Sequence, residues 1–428
     1  LVAFHPEGAS ALRRSAGAAA LAMVLLGAPA ELRGQGSTPD WAATARGVTV
    51  QTRPRPDYEP LGVRLGAFRL DGSLEAGPGF DDNPAPNLRG SRAQATLEEA
   101  LSLGLASGWT RHAFTAALTQ QTRRYPSDPS LSWNDYAFDL GGRLDIGRAS
   151  SLGLLYSRQR NHFDLGNFDL QRAGLARPVQ FDSDVFRLRG VGALNRLLFE
   201  GGLEHRTFRY DRTVGAGGAV GSDRDHLTAE AGASYLFQPG QGLDAVARLT
   251  RISYQQSSQR GRDSLTYEVL GGLRYDFNGL WGVRLSLGYR RRVYEDPSIR
   301  ALSGPAFDAQ VTWMPSQVAT LGLSAQRTIE ESIRPGSVAY TRTALRTTLD
   351  YEVRRNIIAT VTLGAEMREY ERPRERVVDG VATFGATMLL NRRAALLLNY
   401  QHTRRFEAPS GFREYGRNIL SLRLRLSL

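Results

Sequence analysis

From Leu420 to the last residue the chain alternates strictly. Leu420, Leu422, Leu424, Leu426 and Leu428 are apolar, and Ser421, Arg423, Arg425 and Ser427 between them are polar. A period of two dictates a β-strand with one greasy face and one wet face. A single such strand would suit a soluble sandwich as well, leucines inside and arginines in solvent. Repetition decides.

The pattern recurs from about Leu65 to the end. In Tyr136–Ile146 the apolar set is Tyr136, Phe138, Leu140, Leu144 and Ile146, opposite Asp139, Arg143 and Asp145. Leu227–Phe237 sets Ala229, Ala231, Ala233, Tyr235 and Phe237 against Thr228, Glu230 and Ser234. Tyr267–Phe277 carries Glu268, Arg274 and Asp276 on its wet side. In 281–293 the greasy set is Trp281, Val283, Leu285, Leu287 and Tyr289, and Arg284, Ser286, Arg290 and Arg292 face away. Segments 343–353 and 357–367 follow suit, with Arg346, Asp350 and Glu352, then Thr360, Thr362 and Glu366, on the polar face. Within Leu243–Tyr254 the parity is expected to slip near Ile252. The count is about eighteen segments, even, as single-chain bacterial barrels require.

Connections alternate too. Short turns are expected at Gly147–Arg148, Asn195–Arg196, Pro239–Gly240, Asn278–Gly279, Pro315–Ser316, 354–356 and Asn391–Arg392, using tight-hairpin chemistry. Longer polar loops are expected at 81–90, 164–180, 211–222 and 407–413. Trp109, Trp281 and Trp313 flank short turns, where one aromatic girdle would meet the membrane interface. A sandwich accounts for none of these regularities together. The reading is all-β: one closed antiparallel transmembrane barrel, with short periplasmic turns and longer external loops.

Composition agrees. Hydrophobic residues make up only 41%, which excludes a bundle of membrane helices but not a barrel, where alternate residues alone meet lipid. The absence of cysteine in 428 residues removes disulfide and thiolate-metal readings. The net charge of +11 could suggest nucleic acid, yet every one of the 54 basic side chains is arginine, spread along the strands and without a nucleic-acid motif. No nucleic-acid partner and no cofactor is expected.

Arg13–Arg14, the apolar Ala16–Leu26 and Ala28-Pro29-Ala30 read as a secretory signal over residues 1–30. Residues 31–62, with Arg53-Pro54-Arg55-Pro56 and Glu59-Pro60, read as an extended periplasmic linker before a barrel at 63–428. A plug domain does not fit in so short a segment.

Arginine at the lipid midplane of a barrel costs about 2–4 kcal/mol, so arginine-bearing faces must turn to the lumen. The expected pore-lining set is Arg284, Arg290, Arg292, Arg342, Arg346, Arg423 and Arg425 with Glu268, Asp276, Asp350 and Glu352. Two roles stand open: the arginines bias a pore toward anions, or they pair with the carboxylates and stiffen or partly occlude the wall. The functional reading is passive passage of hydrophilic solutes. The alternatives are a barrel enzyme of protease or acyl-hydrolase type, or a surface scaffold whose loops bind. Asp225–His226 is poorly placed as a dyad, because adjacent strand residues face opposite ways; His112, His162, His205 and His402 form no spaced set. Asp81-Asp82-Asn83 lacks the spacing of a calcium loop and reads as a solvated turn.

Two resemblances complete the reading. A strand running to the last residue resembles the C-terminal insertion signal of bacterial outer-membrane barrels, read by the barrel-assembly machinery; that signal usually ends in an aromatic, and Leu428 is aliphatic. Residues 48–83, VTVQTRPRPDYEPLGVRLGAFRLDGSLEAGPGFDDN, resemble the start of the putative beta-barrel porin type 2 family, alphaproteobacterial outer-membrane proteins often found beside exopolysaccharide genes. RPRPDYEPLGVRLGAF and the closing Asp81-Asp82-Asn83 carry that likeness. It implies an outer-membrane location, a lipid and lipopolysaccharide environment and, by association, exopolysaccharide export machinery as partner. It carries no site residues over.

Overall fold

The computed structural model describes residues 47–86, 90–147, 149–211, 222–277, 279–334 and 336–428. The expected signal segment, the linker before residue 47, Arg148, Asn278 and most of the 211–222 loop lie outside them.

A three-residue strand, β1 (Val63–Leu65), folds back on β2 (Phe68–Asp81). The wall continues through β3 (Gln94–Ser107), β4 (Ala113–Arg124), β5 (Trp133–Ile146), β6 (Ser150–Phe163), β7 (Val179–Leu194) and β8 (Leu197–Tyr210). Next come β9 (Arg224–Gln238), β10 (Gln241–Tyr254), β11 (Ser264–Phe277), β12 (Trp281–Tyr294), β13 (Leu302–Ser316) and β14 (Ala319–Glu331). The last are β15 (Ala339–Arg354), β16 (Ile357–Glu371), β17 (Arg374–Leu389), β18 (Ala394–Glu407) and β19 (Gly416–Ser427). Each pairs antiparallel with its successor, and β19 returns to β2, so eighteen of the nineteen strands close a barrel. The seam is tight: a Cβ on Gly77 would lie 1.9 Å from the Leu422 carbonyl oxygen, so only glycine fits there.

The alternation sorts the two faces as expected. Leu420, Leu422, Leu424 and Leu426 are 44–52% exposed on the outside, whereas Ser421 is 3% exposed within. On β12, Leu285, Leu287 and Tyr289 face out while Arg284 and Arg292 are buried inside. Closure satisfies the backbone in hydrocarbon, where water cannot.

One irregularity read from the sequence is explained and two local expectations are corrected. Strand β10 keeps its register through Ile252, which pairs with His226 and Ser264. Its apolar side chain is fully buried inside the barrel, while Arg251 takes the outer face; the residues depart from the pattern and the strand does not. Pro315–Ser316 end β13 across a register shift, and the turn is Gln317–Val318; Pro315, lacking an N–H, marks the irregularity. The loops are not simply polar, as the lid below shows.

Short turns occupy one rim, among them Asn195–Arg196 with Asn195 at φ 58° and Pro239–Gly240 with Gly240 at φ 81°. Longer connections occupy the other, although Arg372–Pro373 is a two-residue exception there. On the outside of the short-turn rim Trp281 stacks on Trp313 at 5.2 Å, and Trp109 meets Phe68 edge-on at 5.5 Å.

Leu422→Arg, mid-strand on the outer face, is expected to lower unfolding free energy in phospholipid bilayers by about 2–4 kcal/mol. Urea titration of the refolded chain measures it, and a cost near zero would remove Leu422 from the hydrocarbon.

Candidate functional site: the barrel lumen

All eleven charged residues expected inside project inward, and most are paired. Glu268 lies between Arg248 at 2.5 Å and Arg290, and Arg248 also reaches Glu230 at 2.6 Å. Arg292 joins Glu331 and donates to Thr266 Oγ1 at 2.9 Å. Arg342 bonds Glu366 at 2.6 Å. Glu75 receives Arg423 at 3.2 Å and Arg425 at 2.7 Å. Arg284 and Asp276 lie inside near the short-turn rim, each in contact with neighbouring groups. Arg346 sits between Ser324 and Gly364 of the adjoining strands; among the described residues no carboxylate lies within ion-pair distance of it. The wall is thus mainly a ladder of opposite charges. Partners such as Glu75, Glu230, Glu331 and Glu366 are the residues sequence reasoning did not single out for this role. Strand parity placed them inside, but only register could show which arginine each would meet.

A packed lid fills the long-loop end. The connection after β6 contains a short helix, α1 (Phe168–Arg172), capped by Asn167, whose side chain accepts from the Asp169 N–H at 2.7 Å. Leu165, Phe168 and Leu170 are at most 2% exposed. Leu165 and Leu170 join Tyr125, Leu131, Tyr210 and Ile333 in one apolar cluster from several loops and strand ends. The Asp169 carboxylate accepts from Tyr370 (2.8 Å), Ser332 (2.9 Å) and the Ile333 N–H (3.0 Å). Asp81, expected as a solvated turn, is fully buried instead: Arg417 bonds it at 2.7 Å and Tyr125 donates to it at 2.7 Å. The same Arg417 reaches Asp164 at 2.7 Å, tying lid to wall. Burial pushes the Tyr125 phenol up to about 12, so it stays a donor. Burial also opposes the Asp164 anion, but Arg417 and the Gly166 N–H outweigh it and hold that carboxyl below the ordinary range.

At the short-turn end, residues 47–60, expected to trail as a free linker, lie against the inner rim as a belt. Gly47 is wedged where a Cβ would come within 2.4 Å of the Gly279 carbonyl oxygen and Met314. The Val50 N–H donates to Thr320 Oγ1 at 3.0 Å, and the Val50 side chain is fully buried. Gln51 bonds Asp350 at 2.8 Å. Arg53 and Arg55 converge on Glu352 at 3.2 and 2.7 Å. Arg392 then holds the Pro56 carbonyl at 2.9 Å, and Gly62 meets Leu428 at 3.3 Å. Asp350 and Glu352 therefore serve the belt.

Between the lid and the wall β3–β6 and β16–β19 lies a cavity of about 180 Å³, lined among others by Glu98, Arg123, Trp133, Glu366, Arg368 and Arg423. The Asp225–His226 pair splits as expected: Asp225 bonds Arg209 at 2.6 Å, whereas buried His226 receives Arg224 at 3.1 Å. The structure instead brings His162 to Asp135 at 3.0 Å, with Trp133 stacked at 4.3 Å. Among the described residues no serine or threonine hydroxyl is hydrogen-bonded to His162.

Several solved structures are similar to this chain at low identity. The outer membrane protein opdK from Pseudomonas aeruginosa is 12% identical, with 84% of this chain and 98% of that one covered at a TM-score of 0.45. A BenF-like porin from Pseudomonas fluorescens Pf-5 is 12% identical, with coverage of 85% and 100% at a TM-score of 0.48. The siderophore receptor PiuA from Acinetobacter baumannii is 10% identical, with coverage of 86% and 82% at a TM-score of 0.46. No curated protein sequence matches this chain. The family described as Putative beta-barrel porin 2 matches residues 55–428, from the end of the belt through the closing strand. A match of that extent makes the chain a member of this porin family, and so a porin-like outer-membrane barrel.

Proposed function

We propose that the chain is a passive outer-membrane conduit for hydrophilic solutes, narrowed at rest by the lid and by the belt. The observation that carries this is a closed wall whose inner face is charged and which leaves a cavity under the lid, lined by Glu98, Arg123, Glu366, Arg368 and Arg423, rather than a packed core. The long-loop rim is taken as external and the short-turn rim as periplasmic, as in bacterial barrels generally. Because most lumen arginines are matched by carboxylates, the wall favours weak ion selectivity over a strong anion bias. Exopolysaccharide, delivered by export machinery, is the finer cargo proposed, supported by the family resemblance. Loss of the gene without change in secreted polysaccharide would remove that cargo. Export behind the 1–30 signal and insertion through the C-terminal strand belong to the same reading.

Planar-bilayer recordings of the mature chain test the conduit directly. Small, weakly selective steps are expected, and removal of the belt by Arg53→Ala/Arg55→Ala should enlarge them and shift selectivity toward cations as Asp350 and Glu352 are uncovered. Silence from both chains would refute the conduit.

Glu352→Gln leaves Arg55 buried without its counter-charge, a loss of about 3–5 kcal/mol to belt docking. Chymotrypsin should then cut after Tyr58, in the same belt, in the folded, detergent-solubilised protein, where the wild type resists.

Acid should act on the lid. A carboxyl whose folded pKa is depressed adds stability above its unfolded value, near 3.9 for aspartate, and loses it as pH falls through the folded value. The Asp164–Arg417 tie is therefore intact from pH 7 to 5 and fails only in stronger acid. Conductance should be flat over that range and rise below about pH 4. Asp164→Asn should show the raised conductance already at neutral pH; an unchanged acid response in that variant would assign it elsewhere.

A further inference from the structure

The outer face carries charges of its own, and they gather at one end. On β6 and β7, Arg158 bonds Asp184 at 2.7 Å and Asp182 at 3.4 Å, and Arg160 bonds Asp182 at 2.7 Å. These four residues share strand parity with Leu154, Phe186 and Leu188, which are 41–58% exposed on the barrel exterior. They continue the lipid-facing rows toward the long-loop rim. Arg209–Asp225 at 2.6 Å and Arg327–Glu369 at 2.9 Å sit at the same end of the exterior on other strands. The opposite rim carries the tryptophan pair and Trp109.

A charge on the lipid face is costly at the midplane and nearly free at the interface, so these pairs mark the headgroup level of one leaflet. With the orientation adopted above, on which this inference rests, that leaflet is the external one. The guanidinium forks of Arg158 and Arg160, each about two-fifths exposed, match phosphate oxygens in shape and sign. Asp182 and Asp184 hold the two forks side by side at the headgroup level. The apolar row of Leu154, Phe186 and Leu188 runs directly below, where acyl chains would lie. A free anion would have no use for that row. We infer that Arg158, Arg160, Asp182 and Asp184 form a docking site for a phosphorylated glycolipid of the external leaflet, of the lipid A type.

Native mass spectrometry of the detergent-extracted full chain, titrated with bis-phosphorylated lipid A and with its dephosphorylated form, tests this. The wild type should retain the phosphorylated lipid at roughly tenfold lower concentration. Arg158→Gln/Arg160→Gln should lose that advantage, and Arg158→Lys/Arg160→Lys should keep part of it. Bilayer conductance should be the same in all three, because the site faces away from the lumen. Equal retention of both lipids by the wild type overturns the inference even if the glutamine variant does not fold. Unaltered lipid A retention by the glutamine variant, or displacement by equimolar inorganic phosphate, overturns it as well. A chain that binds lipid A but conducts nothing would refute the conduit and leave the lipid site standing.

Discussion

Everything in this molecule depends on one pairing, the return of β19 to β2. Inside a bilayer an open sheet edge would leave a row of N–H and C=O groups without partners, each costing several kcal/mol. Closure removes both edges at once, and alternation then follows as a necessity, with one face for lipid and one for the lumen. The seam shows how little slack this leaves. Gly77 lacks a side chain because the facing backbone occupies its place. Buried Asp81 at the end of β2 is neutralised by Arg417 at the start of β19. The same two strands carry both the closure and the charge that anchors the lid.

Pairing governs the interior in the same way. A row of arginines alone would make the lumen a strong anion trap and would strain the wall by repulsion. Interleaving them with Glu75, Glu230, Glu268, Glu331 and Glu366 cancels most of the field and spends the guanidinium hydrogen bonds on neighbouring strands. Arginine suits this better than lysine, since one planar fork can reach two carboxylates, as Arg248 does with Glu230 and Glu268. The use of arginine for all 54 basic side chains is compatible with that chemistry at each rung.

The barrel was legible because period-two alternation is a local property that a strand cannot hide. Each inward residue expected from parity does face inward, down to Asp276 and Glu352. The lid and belt were less legible because they depend on contacts between distant parts of the chain. Leu165, Phe168, Leu170 and Leu175 stand in a stretch bounded by polar residues, and nothing local says that they meet Tyr125, Tyr210, Ile333 or Tyr370. A fair sign was present in Asn167 ahead of Phe168–Arg172, a helix cap where only a loop was expected. Likewise Arg53-Pro54-Arg55-Pro56 suggests an extended chain, and extended it can lie along a rim; its partners Asp350 and Glu352 are almost three hundred positions away. Pro315 misled by the ordinary association of proline with turns, when its missing N–H suited an irregular strand end equally well.

The reach of the belt has a consequence for assembly. Its bonds to Thr320, Asp350 and Glu352 join residues separated by 270 to 299 positions. The belt precedes the whole wall in the chain, whereas its seats lie far along it, on β14 and β15. It therefore cannot dock on a partial sheet that has stopped short of those strands. A seated belt is a record that the far side of the wall has arrived, and an unfinished barrel keeps its N-terminal arginines exposed.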